Sequence, residues 1–328
     1  MPVLTPPPVH DALDRRGLLT GAAALGVLAG LTGCGGTTGA PAPTAGPTRR
    51  IEGAFGPVDV PAEPRRVVTT DWYTPWALLD VGVTAVGTPR ANTGGVLPAY
   101  QPAYETMAKI GTTTQLDYEA IVALEPDLIL GTLVPDLPPD LNERLGAITP
   151  TLLFEAAREP GTWQERAVRA ADAVGRREAA EELRAAYERR AADLGARYAD
   201  VLGRTRWALL RGGPQGNALL DHPASWSGVV LERVGVRLAA AAAGKPGVST
   251  PLSFEQLGVL SDCDVVLHLA DAAGGVPADT QRMLDQPTFR ALPAARAGHV
   301  YPLPNYYVSH YGQADAVLSE IEAVLGRL

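Results

Sequence analysis

The chain has 328 residues and a formal net charge of −8, with 46% hydrophobic and 20% charged residues. That length allows two domains of ordinary size, and the acidic balance argues against a nucleic-acid partner. Cys34 and Cys263 are the two cysteines, too few for a disulfide framework or a cysteine-rich zinc or iron–sulfur site.

Near the start stands "RRGLLTGAAALGVLAGLTGCGG", Arg15 to Gly36. Its apolar part, Leu18 to Leu31, is shorter than the roughly 20 residues that span a membrane, and Gly21, Gly26 and Gly30 interrupt it. Basic residues, a short apolar run and small residues before a cleavage point describe an export signal, expected over residues 1–33. "LTGC", Leu31 to Cys34, resembles a bacterial lipobox, which implies cleavage before Cys34 and lipidation of it. "DRRGLLT", Asp14 to Thr20, resembles a twin-arginine signal with Leu18 where that pattern prefers Phe. A buried apolar helix with an incidental cysteine is the plain alternative. Residues 34–50 are rich in Gly, Pro, Thr and Ala, which predicts a disordered tether behind the lipidated cysteine. The body is thus expected at the outer face of the cytoplasmic membrane, attached by lipid alone.

The body reads as α/β. "VVTT" from Val67 predicts a buried strand. "YTPWALLDVGV" follows as a short helix with a Thr–Pro start and a stop at Gly82, and "TAVGTP" is the next strand. Strand, helix and strand favour a parallel sheet. "LDYEAIVALEPDLIL" (Leu116 to Leu130) and "LSFEQLGVLSDCDVVLHL" (Leu252 to Leu269) then repeat one plan. A capping residue, Asp117 or Ser253, precedes an aromatic and a glutamate, Glu119 or Glu255. A helix follows and feeds a strand beginning near Asp127 or Asp264. With "RWALLRGG" as the second counterpart of the first strand, the chain reads as two Rossmann-like lobes with mostly parallel sheets, 51–174 and 204–328. Strong helix formers fill the stretch between them, divided at Gly175, so one long helix over 176–203 is expected to join the lobes stiffly. Its face is predicted from Ala179, Leu183, Ala186, Arg190, Leu194 and Arg197.

Ligands of parallel sheets sit outside the carboxyl ends of the strands. Trp72 and Tyr73 follow the first strand, and Arg211 follows the end of its counterpart among glycines. Trp226 precedes a helix, Tyr100 and Tyr104 lie in a Gly/Pro-rich loop near Arg90, and Tyr306, Tyr307 and His310 lie in a late loop. Aromatics gathered in loops favour ligand contact. Each has a packing alternative: the tryptophans could line lobe edges, and one of Tyr306 and Tyr307 is expected in the core because neighbours in extended chain alternate. His222 beside Asp221 reads as structural. No G-x-S-x-G, H-E-x-x-H or phosphate-cradling Gly–Lys–Ser/Thr occurs, and the scattered histidines do not make a metal site by spacing. A lipid-anchored enzyme using the same cleft is the rival reading, and it lacks a nucleophile–base pair.

"EPRRVVTTD", "LLDVGVTAVGT", "IGTTTQLDYEAIVALEPDLILG", "DVVLHL" and "FRALPAARAGHVYPL" together resemble the periplasmic-binding-protein family of iron–siderophore, haem and cobalamin uptake transporters. The resemblance covers about Ile51 to Leu328. It implies two lobes on one long helix, a ligand between them and little closure. It also implies that Glu119 and Glu255 dock onto arginine pockets of a membrane permease. A glutamate in a first helical turn is otherwise explained by the helix dipole. The ligand so implied is a ferric siderophore, with cobalamin or haem as alternatives. Only Arg90, Arg158 and Arg211 serve as cleft cations, which leans toward a hydroxamate or mixed siderophore. Neither a cofactor nor a resident metal is expected, and a monomer is.

Overall fold

The structure is a computed structural model that describes residues 46–91, 96–134, 136–155 and 162–328. The export signal, Cys34 and Arg158 lie outside the described residues. Strand β1 (Thr48–Gly53) pairs antiparallel with β2 (Gly56–Pro61). It begins inside the span expected as tether because Arg49 is held: its Nη2 donates to Asp172 O at 2.6 Å and its Nη1 pairs with Asp172 Oδ1 at 3.3 Å.

In the first lobe, β3 (Val67–Thr69) is wholly buried, as its β-branched run requires. Helix α1 (Thr74–Asp80) starts with Pro75 in its first turn, and Gly82 at φ +76° lets the chain leave it. After it come β4 (Gly87–Thr88), α2 (Gln101–Thr106) and β5 (Ala108–Lys109). A small antiparallel pair, β6 (Gly111–Thr112) and β7 (Gln115–Leu116), precedes α3 (Tyr118–Ala123). Asp117 caps α3 by accepting from Ala120 N–H at 3.0 Å. β8 (Leu128–Thr132), α4 (Leu141–Gly146) and β9 (Thr151–Phe154) complete the lobe. The sheet order is β5-β4-β3-β8-β9, parallel throughout.

Between the lobes run α5 (Trp163–Ala173), α6 (Arg177–Arg197) and α7 (Ala199–Arg204). Gly175, at φ +71°, makes the break between α5 and α6. The long helix is therefore interrupted once more, at Tyr198, within the expected 176–203 span.

The second lobe opens with β10 (Trp207–Gly213) and continues through β11 (Asn217–Asp221), α8 (Gly228–Val234) and β12 (Ser249–Leu252). Phe254–Leu260 is a 3-10 helix rather than the expected α-helix. Gly258 is a poor helix former near its middle, and the bonds Gln256 N–H to Ser253 O (3.0 Å) and Ser261 N–H to Gly258 O (3.1 Å) are i to i−3. Its capping box forms, with Ser253 N–H donating to Gln256 Oε1 at 2.8 Å. Then come β13 (Val265–Leu269), α9 (Ala278–Leu284), α10 (Pro287–Arg290), α11 (Pro293–Arg296), β14 (Val300–Leu303) and α12 (Tyr311–Leu325). The order β12-β11-β10-β13-β14 is parallel from β10 to β14 and antiparallel from β10 to β12.

The repeat is visible at equivalent corners. Asp127 accepts from Arg65 and Arg66 N–H (2.7 and 2.9 Å), tying the start of β8 to that of β3. Asp264 accepts from Arg206 N–H at 2.8 Å and does the same for β13 and β10.

Helix α6 buries Leu194, as predicted, together with Ala180, Tyr187 and Ala191, each one residue on from a predicted position. Trp163, Tyr187 and Tyr311 meet edge to face, with centroids 5.7 Å (Trp163–Tyr187) and 5.1 Å (Trp163–Tyr311) apart. Such pairs add about 0.5–1.5 kcal/mol each beyond burial. Arg190 and Arg197 instead turn to α12, where Arg190 Nη2 meets Ser319 Oγ at 2.8 Å and Arg197 Nη1 meets Glu322 Oε1 at 2.5 Å. The connecting helix is thus packed against α5, α8 and α12. Among the described residues no helix is long and apolar enough to cross a membrane.

Candidate ligand-binding cleft

The chain leaves β3 through Thr70 and Asp71. Buried Asp71 accepts four hydrogen bonds: from Tyr73 N–H (2.6 Å), Thr74 N–H (2.8 Å), Thr74 Oγ1 (2.7 Å) and Thr132 N–H (2.6 Å). This carboxylate fixes the turn that presents Trp72 and Tyr73, whose rings meet edge to face at 5.5 Å. The second lobe supplies a like pair, Trp226 and Tyr307, at 4.9 Å and 84°. All four border one cavity of about 540 Å³. Trp76, Leu97 and Tyr100 extend its wall on the first lobe, and Asp271, His310 and Gln313 on the second.

At one edge the lobes are tied by polar groups. Buried Asp80, at the end of α1, accepts from Tyr100 OH at 2.8 Å and from Gly312 N–H at 2.9 Å, and its Oδ2 lies 3.0 Å from His310 Nδ1. Burial opposes the Asp80 charge, but His310, Gly312 and Tyr100 outweigh it and hold the carboxyl below its ordinary value. Burial, with Asp80 beside it, pushes the Tyr100 phenol up.

Behind the Trp226–Tyr307 pair sits Arg211, its Cζ 5.8 Å from the Trp226 centroid. Its Nε lies 3.2 Å from Oδ1 of Asp221, whose side chain is fully buried. Burial opposes the guanidinium charge and Asp221 more than restores it, so Arg211 stays firmly cationic. Next to it Gly212 is required: a Cβ there would lie 2.0 Å from the Asp279 carbonyl carbon.

Of the residues singled out from sequence, Trp72, Tyr73, Tyr100, Trp226, Tyr307 and His310 border the cavity. The others do not border it among the described residues. Tyr306 is 1% exposed and packs inward, as the alternation of neighbours allows for one of the two tyrosines. Its carbonyl accepts from Ser227 Oγ at 2.5 Å. Arg211 lies within β10, opposite Leu219, rather than in a loop after it. The β11 strand that "NALLD" forms was missed, although "PQG" before it is a turn signal. Tyr104 supports the wall from behind, its OH accepting from Ala91 N–H at 2.8 Å. Arg90 is exposed, with its backbone N–H on Gly111 O. His222 is structural: its ring nitrogens meet Pro246 O (3.0 Å) and Thr250 Oγ1 (2.8 Å). Trp76, Asp80 and Gln313 were not found from sequence. Each sits on a helix whose packing, not its spacing, brings it to the cleft.

Glu119 and Glu255 are both exposed, at the starts of equivalent helices. A hydrogen bond from Ser253, aided by a backbone N–H, holds the Glu255 carboxyl below its usual range.

The family model for the periplasmic binding protein matches residues 67–307. The chain belongs to the periplasmic-binding-protein family. This binding protein is 29% identical over 194 residues to the probable siderophore-binding lipoprotein YfiY of Bacillus subtilis (strain 168), a stretch covering 58% of this chain and 57% of YfiY. It therefore matches little more than half of that relative's length. It is 24% identical over 282 residues to the putative ABC transporter substrate-binding lipoprotein YhfQ of the same organism, covering 82% of this chain and 85% of YhfQ. Among solved structures, the siderophore periplasmic binding protein from the fuscachelin gene cluster of Thermobifida fusca superposes with a TM-score of 0.73 at 28% identity, over 81% of this chain and 98% of that one.

Proposed function

We propose that this binding protein captures a ferric siderophore, of hydroxamate or mixed type, between its lobes. It then delivers the complex to an ABC-transporter permease for iron uptake. The observation that carries this reading is the cleft: about 540 Å³, walled on both lobes by a tryptophan–tyrosine pair. That volume lies within the roughly 300–1,000 Å³ of small-molecule sites, and broad aromatic faces suit the organic shell of a chelate. Iron arrives as cargo already held by its chelator. Among the described residues no group of three or more His, Cys, Asp and Glu stands ready to hold a metal ion. The named ligand class of YfiY and of the Thermobifida fusca neighbour favours a siderophore over cobalamin or haem.

The protein acts by binding and not by catalysis. Glu119 and Glu255, one per lobe and both exposed, are the docking points for the permease, which fix the orientation of a monomer over it. Lipid on Cys34 keeps the body at the outer face of the cytoplasmic membrane. The visible spectrum of the ligand that copurifies from iron-limited cells tests the reading. A ferric–chelate charge-transfer band supports it, and a corrinoid or haem spectrum overturns it.

A further inference from the structure

The two aromatic pairs of the cleft each have a guanidinium behind them. Arg211 backs Trp226 and Tyr307; on the first lobe Arg166, from α5, has its Cζ 4.3 Å from the Tyr73 centroid. None of the described residues bordering the cavity is itself an arginine or a lysine, so positive charge reaches the cleft from this second layer. The two arginines differ in their counter-charge. Arg211 is paired with Asp221. Arg166 makes no ion pair among the described residues, and its Nε and Nη2 are buried without a hydrogen-bond partner. The carboxylate whose field reaches it, Asp71, already accepts four hydrogen bonds. A guanidinium does not escape by losing its proton. Among the described residues Arg166 thus has no ion-pair partner, and its guanidinium places positive charge and unused N–H donors behind the cleft wall, with the Asp71 carboxylate acting on it only through space.

We propose that Arg166 determines ligand charge: its unpaired guanidinium, stacked on Tyr73, makes the cleft select ferric chelates of net negative charge. This rests on the siderophore reading and narrows it. A neutral tris-hydroxamate complex leaves the charge uncompensated, whereas a mixed chelate with a catecholate or carboxylate arm neutralises it. Stacking also aligns the Tyr73 ring, so the same residue shapes the wall and sets its potential.

The test is a set of tryptophan-fluorescence titrations on the purified full-length protein and its Arg166→Gln and Arg166→Lys variants. The probes are a ferric bis-catecholate and ferric citrate, both net negative, and ferrioxamine B, net positive. The anionic chelates are expected to bind the unmodified protein more tightly than ferrioxamine B. Arg166→Gln should weaken the anionic chelates about tenfold, the scale of one charge removed from behind a partly desolvated wall. It should leave ferrioxamine B no weaker, or bound somewhat more tightly, because the same potential opposes a cation. Arg166→Lys should retain part of the difference. Thermal unfolding of Arg166→Gln should be no earlier than that of the unmodified protein, because an unmatched charge has been removed. Equal weakening of all three chelates, unchanged affinities, or early unfolding of both variants would each overturn the proposal and leave Arg166 a structural residue. If no ferric chelate binds the unmodified protein, the siderophore reading falls first and this inference with it.

Discussion

Glu320, on α12, offers a sharp test of how the loop bordering the cleft is held. Asn305 Nδ2 donates to its Oε1 at 2.6 Å, while Glu320 Oε2 and Asn305 Oδ1 are buried without partners. Two unpartnered acceptors thus belong to one carboxyl–amide contact. Protonation of Glu320 gives Oε2 a hydrogen to donate, and burial accordingly raises its pKa from 4.5 to about 7. The sign follows from linkage. Below pH 4.5 the group is protonated folded or unfolded; between there and about 7 the folded protein holds the proton more tightly, so stability falls as pH rises. The loss reaches at most about 3 kcal/mol above pH 7, at 1.36 kcal/mol per pKa unit. Glu320→Gln supplies the missing N–H donor at every pH. The variant should match the unmodified protein near pH 4.5 and exceed it at pH 8 by up to about 3 kcal/mol, or roughly 5–10 °C in midpoint. Calorimetry or denaturant melts at both pH values measure this. A variant less stable at pH 8, or a gap that does not change with pH, would refute the reasoning.

Trp72→Ala should weaken ferric-chelate binding by about 1–3 kcal/mol; equal affinity in a folded variant would place Trp72 outside the site. Asp80→Asn should cost about 1–3 kcal/mol at neutral pH, because His310, Tyr100 and Gly312 lose a shared carboxylate. Because that carboxyl lies below its ordinary 3.8, its contribution is present above about pH 4 and lost as pH falls through the folded value. Acid melts of Asp80→Asn should lack that step. The Glu119→Ala/Glu255→Ala double variant should bind ligand normally and transport little, since charged rim contacts govern association with a partner; normal uptake of labelled ligand would reduce both glutamates to helix-start residues.

The first strand of each lobe was legible because a short β-branched or apolar run is bounded by Pro, Asp or Gly, and Trp72 and Tyr73 followed from the carboxyl end of the first. The repeated cap–aromatic–Glu plan located α3 and its counterpart, but it could not distinguish α from 3-10 geometry where Gly258 interrupts. Spacing gave the start of α6 but not its break at Tyr198, and of the predicted face only Leu194 is fully buried, the rest of the buried stripe lying one residue on. What decides that face is Trp163 on α5 and Tyr311 on α12, far along the chain. The same limit hid Arg166: nothing local marks it, and it reaches Tyr73 only because α5 packs on α1. Arg90 and Tyr104 were chosen for loop position; Arg90 turns to solvent, while Tyr104 lies in helix α2 and its OH accepts from Ala91 N–H. Tyr306 and Tyr307 illustrate the converse. Alternation said that one faces inward, and the fold assigns Tyr306 to the core and leaves Tyr307 39% exposed at the cleft.

The central claim, that the cleft takes a ferric siderophore between Trp72–Tyr73 and Trp226–Tyr307, is tested most directly by one equilibrium titration. Intrinsic tryptophan fluorescence of the purified protein is followed while ferric chelates and the same chelators without iron are added in parallel. The account predicts saturable quenching by a ferric chelate at one molecule per chain, lost when Trp72 and Trp226 are replaced together, with little response to the iron-free chelator. Saturable binding by a corrinoid or by haem, with no ferric chelate bound, would contradict it.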